Sequence, residues 1–112
     1  TSFWTLSLLS GRPDPKRVLR EVMETFRGEY VEIDEYPAQA VIHQTECQAC
    51  DLQFMQYELI NSAYLRVCPA GSRTALILYQ GMDQELEYTR PVLEAITASL
   101  EWDDPDPPVG YY

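Results

Sequence analysis

Between residues 39 and 81 the chain carries four extended, alternating segments joined by only three to five residues each, and this spacing constrains the fold more than any other feature. The segments are 39–46, 51–59, 63–68 and 74–81. Their connections are Cys47-Gln48-Ala49-Cys50, Ile60-Asn61-Ser62 and Pro69-Ala70-Gly71-Ser72-Arg73. Parallel neighbours need a crossover of a dozen or more residues, so strands this closely joined must run as an antiparallel meander. Residues 3–9 add a strand in which Trp4, Leu6 and Leu8 alternate with Thr5 and Ser7, and residues 30–36 another, ended by Pro37. Within 51–59 the apolar phase slips from Leu52 and Phe54 to Met55, Tyr57 and Leu59, which predicts a bulge near Phe54-Met55.

Two helices frame the meander. Asp14-Pro15 has the form of an N-cap followed by proline at the first helical position, where a missing N–H costs nothing. Val18, Leu19, Val22, Met23 and Phe26 then recur at three- and four-residue steps, and Gly28 stands where a C-terminal cap is wanted. The last element spans 83–100, with Leu86, Thr89, Val92, Leu93, Ile96 and Leu100 on its buried side and Pro91 predicting a kink or an irregular first turn. The fold class is therefore α+β, a five- to six-stranded antiparallel sheet covered by two helices. Residues 1–102 form a single domain, and 103–112, rich in Asp and Pro, form a tail whose charge opposes packing.

Charge excludes several functions. Eighteen acidic residues against eight basic ones give a net charge of -10, which repels nucleic acid and anionic lipid alike. No stretch approaches the roughly 20 apolar residues of a membrane span, and no leader-like segment opens the chain. Three cysteines cannot all pair internally, which favours a reducing, cytoplasmic setting.

His43, Cys47, Cys50 and Cys68 together are the ligand set of a structural zinc site. Geometry weighs against it. If the strands pair around Asn61, Cys68 lies opposite Phe54, about 13 Å along the sheet from Cys50 at ~3.3 Å per residue. The ordinary reading of these residues is a satisfied histidine and small thiols. A redox role for Cys47 and Cys50 wants a helix N-terminus, whereas a strand follows here and Glu46 and Asp51 flank the pair with negative charge. Hydrolysis lacks a histidine beside a nucleophile and a G-x-S-x-G turn, and no phosphate-cradling motif occurs.

The order strand, helix, meander, helix, closing on Pro91-Val92-Leu93-Glu94-Ala95-Ile96-Thr97-Ala98-Ser99-Leu100, resembles the PsbP-like superfamily of small α/β/α sandwiches. With Trp4-Thr5-Leu6-Ser7-Leu8 and Gly28-Glu29-Tyr30-Val31-Glu32, it is similar to an uncharacterised bacterial branch of that group, over nearly all of the chain up to Trp102. The chain departs from the family where Cys47-Gln48-Ala49-Cys50-Asp51 replaces an expected Gly-Tyr-Asp-like hairpin. Known relatives are an extrinsic photosystem subunit and a nuclear-import factor that binds a small GTPase, so the resemblance implies action by binding proteins, without a cofactor.

Tyrosine-rich sheets suit interfaces, and Tyr57, Tyr64, Trp102, Tyr111 and Tyr112 are the candidate contact residues. The function read from the sequence is a non-catalytic protein-binding module, extending to a homodimer. The competing reading is a small metal- or thiol-dependent protein built on the cysteines.

Overall fold

The computed structural model describes residues 1–102; the predicted tail, with Tyr111 and Tyr112, lies outside the described residues. The elements are β1 (Phe3–Leu9), α1 (Pro15–Glu29), β2 (Ile33–Ile42), β3 (Thr45–Gln56), β4 (Leu59–Ala70), β5 (Arg73–Met82) and α2 (Asp83–Ala98). The five strands form one antiparallel sheet in the order β1-β5-β4-β3-β2.

The predicted cap of α1 is present. Asp14 accepts from the Lys16 N–H at 3.3 Å, with Pro15 opening the helix. The C-terminal end differs from expectation: helix continues through Gly28 to Glu29, and the extended Tyr30 closes it by donating its N–H to the Phe26 carbonyl at 3.0 Å. The Tyr30 ring lies stacked on Phe54, 4.1 Å between centroids, where it joins the contacts at the end of the helix.

Alternation along β4 assigns the two helices to opposite faces. Ala63 and Leu65 join Cys50, Leu52, Phe54 and Phe26 in a core under α1, whereas Tyr64 and Cys68 join Ile77, Tyr79, Leu86 and Leu93 in a second core under α2. Burying both faces of β4 is what makes it an almost unbroken run of buried residues.

Three strand boundaries move. β2 runs through Pro37 rather than ending there, because it is an edge strand and the missing N–H leaves no ladder bond unmade. The turns fall at His43-Gln44 and Tyr57-Glu58, all four residues at positive φ (51°, 61°, 53° and 64°), the signature of two-residue type I′ hairpins. Cys47 through Cys50 and Ile60 through Ser62, expected as turns, are therefore in mid-strand. The predicted bulge is replaced by unbroken pairing from Gln48↔Val67 to Gln56↔Leu59; the apolar slip at Met55 marks where the strand leaves the helix-covered sheet. Helix α2 is continuous through Pro91.

Candidate interaction surface

Residues 47 and 50 are an odd number apart on a strand, so their side chains leave opposite faces of the sheet. Cys47 enters the core under α2 and Cys50 the core under α1. The four-residue zinc set is thereby corrected. His43 is exposed on the β2–β3 turn with its ring 4.8 Å from Trp102, and among the described residues no three His, Cys, Asp or Glu side chains converge to hold a metal. The register that separates Cys47 from Cys50 brings Cys47 opposite Cys68, since Gln48 pairs with Val67. Burial, with Glu35 and Asp51 nearby, pushes the Cys50 thiol up.

Helix α2 divides the surface of its face in two. Leu86, Leu93 and Thr97 point into the core, and positions displaced by about a quarter turn to either side line different surfaces. On the β3 side, Asp83, Glu87, Arg90, Pro91 and Glu94 border a cleft of about 480 Å³ floored by Tyr64. Apart from the exposed Glu87, its charged groups are committed to neighbours. Arg90 lies 4.6 Å over the Tyr64 ring and bonds Glu94 at 2.6 Å, while Asp83 accepts from Ser62 Oγ at 2.7 Å and Gln53 Nε2 at 3.0 Å. Beside the cleft, Arg66 donates to Asp51 at 2.7 Å and to the Leu65 carbonyl at 2.9 Å, next to the stacked Tyr64 and Tyr79 rings. Burial raises both phenols, which keeps them protonated and unsuited to act as bases near neutrality. Among the described residues every buried side-chain polar atom has a partner. This is the pattern of a structural network, in which Asp51, Arg66, Asp83, Arg90 and Glu94 are each held by a neighbour.

The β1 side of α2 is different in kind. Ser2 Oγ lies 2.9 Å from Thr89 Oγ1, and Trp4 Nε1 donates to Thr97 Oγ1 at 2.9 Å, so β1 lies beneath this flank. Thr89, Val92 and Ile96 follow one another there at three- and four-residue steps. On β1 itself Leu6 and Leu8, the apolar positions of the alternation, are 39% and 48% exposed, and Ile96 and Val92, expected on the buried side of the helix, are 39% and 59% exposed. The correction has a simple cause. α2 covers β4 and β5 and leaves the outermost strand on its flank.

That strand is also a free edge. β1 contains no charged residue, no proline and no bulge over Phe3–Leu9, whereas the opposite edge, β2, carries Asp34, Glu35 and Pro37. Charges and proline are the ordinary means by which edge strands repel a neighbour, and β1 has neither.

Of the predicted contact residues, Tyr57 is 89% exposed on the β3–β4 turn, near exposed Met55, Leu59 and Ile60. Tyr64 is buried beneath the cleft and Trp102 packs partly buried against the α2-side core. The β1 surface was not among the candidates. Its one sequence signal is the run Phe3-Trp4-Thr5-Leu6-Ser7-Leu8-Leu9, seven uncharged residues in a strongly acidic chain.

Among the described residues no helix is long and apolar enough to cross a membrane. No family model and no curated protein matches the chain. Its structure is similar to the crystal structure of PA94 from Pseudomonas aeruginosa, a protein of unknown function described as a putative regulator, with a TM-score of 0.69 over 96% of this chain and 74% of that one. The two are 11% identical, so the likeness establishes a shared fold and nothing finer.

Proposed function

We propose that the chain is a non-catalytic protein-interaction module of PsbP-like type, working through the free edge of β1 and the apolar flank of α2 above it, with a second copy of itself as partner. The PsbP-like reading is supported by the order strand, helix, four-stranded meander, helix, and by one helix on each face of the sheet. The interaction reading rests on the uncharged, unguarded edge of β1.

Self-pairing suits that edge. In an antiparallel pair of β1 strands centred on Leu6, Trp4 faces the partner's Leu8, Leu6 meets Leu6, Thr5 faces Ser7 and Phe3 faces Leu9, so apolar meets apolar and hydroxyl meets hydroxyl. Val92 and Ile96 of the two α2 helices flank the junction on the same face. For a chain of net charge -10, two copies approach with less repulsion along the uncharged strand β1, beside which the charges at this flank, Glu85 and the Thr1 amino group, are paired with each other at 2.7 Å. Seven residues at ~3.4 Å each make a ladder roughly 24 Å long, joining two five-stranded sheets into one of ten.

The test is light scattering after size exclusion at micromolar concentration. The chain should elute at twice its 12.9 kDa, and Leu6→Lys, which places a charge at the two-fold centre, should elute as a monomer with unchanged circular dichroism. A monomeric parent chain, or a dimer broken by Tyr57→Ser and untouched by Leu6→Lys, overturns the assignment.

A further inference from the structure

Independently of the β1 surface, we infer that Cys47 and Cys68 form a reversible disulfide site between β3 and β4, oxidised by a hydroperoxide. The inference stands on register. Gln48↔Val67 continues outward to Cys47 opposite Cys68, and both side chains enter the same core beneath α2. Directly opposed residues of an antiparallel pair have Cα atoms about 4.5 or 5.5 Å apart, either of which falls within the roughly 4.4–6.8 Å that a disulfide spans. Their Cβ atoms stand about 4.5–5.5 Å apart in an open ladder, against roughly 3.5–4.5 Å when bonded. Closure therefore needs at most about 1 Å of approach between the strands.

The two thiols are unequal. Cys68 is fully buried, whereas Cys47 borders a cleft of about 220 Å³ with Gln39, Ala40, Val41 and Glu46, the route by which a small oxidant arrives. The neighbouring Cys68 thiol holds the Cys47 ionisation below the ordinary thiol value against the opposing effect of burial, with the Ile42 backbone and the Arg66 charge acting the same way. The same contact, with burial, pushes Cys68 up. Cys47 is thus the attacking group and Cys68 the resolving one. Cys50, on the other face of the sheet, can join neither.

The chemistry balances in two steps. The Cys47 sulfur attacks one peroxide oxygen, the O–O bond breaks, and the departing oxygen takes the thiol proton and leaves as water or an alcohol, giving a sulfenic acid at Cys47. The Cys68 sulfur then attacks the Cys47 sulfur, the S–O bond breaks, and hydroxide takes the Cys68 proton and leaves as water. Two thiols lose two electrons and the hydroperoxide gains them.

Hydrogen peroxide is added to the native chain and the products are read by intact mass, thiol titration and non-reducing peptide mapping. The expected result is a loss of two hydrogens, a fall from three titratable thiols to one, a linked pair of peptides bearing Cys47 and Cys68, and full recovery with dithiothreitol. Cys50→Ser should still lose two hydrogens, and Cys68→Ala should not. Because Cys68→Ala alters the core, the peptide map of the parent chain decides the matter without it. Three thiols surviving excess peroxide, over-oxidation of Cys47 with Cys68 untouched, or a link through Cys50 overturns the inference.

Discussion

Arg66 sits in the middle of the central strand with its side chain 10% exposed, and its charge is answered by Asp51, 28% exposed, directly across the β3–β4 pair from Tyr64. Replacing Asp51 by Ala removes the carboxylate and leaves a guanidinium that still bonds the Leu65 carbonyl and lies 6.0 Å from the Tyr79 ring, with no anion beside it. Breaking a fully buried pair costs ~3–5 kcal/mol, and an exposed pair contributes ~0–1 kcal/mol. With one partner buried and the other reaching water, the expected cost is about 2–3 kcal/mol, or roughly 10–20 °C in Tm for a domain of this size. Asp51→Asn, whose amide oxygen still accepts from Arg66, should cost about half as much. Arg66→Met fills the same space and leaves Asp51 able to reach solvent, so it should cost less than ~1 kcal/mol or stabilise. Urea unfolding followed by Trp4 and Trp102 fluorescence, at constant m-value, measures all three. Asp51→Ala within ~0.5 kcal/mol of the parent, or Arg66→Met more damaging than Asp51→Ala, would refute the reasoning. The outcome also bears on function, since a pair that holds the sheet together needs no catalytic reason to be there.

The bidentate bond from Arg27 to Glu35, at 2.6 and 2.7 Å, ties the end of α1 to β2 and holds the Glu35 carboxyl below its ordinary range. A depressed folded-state pKa gives stability that is present above the unfolded value and lost as pH falls through the folded one, so the parent should exceed Glu35→Gln in thermal stability at neutral pH and converge with it in acid. A gap that persists unchanged at low pH would contradict this. At the Tyr57-Glu58 turn, Glu58 occupies φ 64°, where glycine is favoured; Glu58→Gly should stabilise the chain by about 0.5–1 kcal/mol in urea titrations, and a loss of stability would count against the type I′ assignment.

What the sequence conceals follows from how local each signal is. Helix α1 was legible because Asp14, Pro15 and the stripe from Val18 to Phe26 act within a few residues of one another. The hairpin turns were hidden because His43-Gln44 and Tyr57-Glu58 hold positive φ without the glycine, asparagine or aspartate that ordinarily announces it. Placing the second turn at Asn61 sets Cys68 opposite Phe54; placing it at Tyr57-Glu58 moves the partner seven residues along, to Cys47. Such turns cost conformational energy at four residues, so the pairing must impose them: ten residue pairs join β2 to β3 and nine, from Gln48↔Val67 to Gln56↔Leu59, join β3 to β4. The thiol pair is thus a product of long-range register, which no C-x-x-C spacing could reveal. Exposure of Leu6 and Leu8 was hidden for a different reason. Alternation tells which side chains share a face, but whether a helix covers that face depends on how far the helix reaches across the sheet. A surface strand left bare by α2 and stripped of charge therefore looks, in sequence, the same as a core strand, and only its position at the end of the order β1-β5-β4-β3-β2 distinguishes the two.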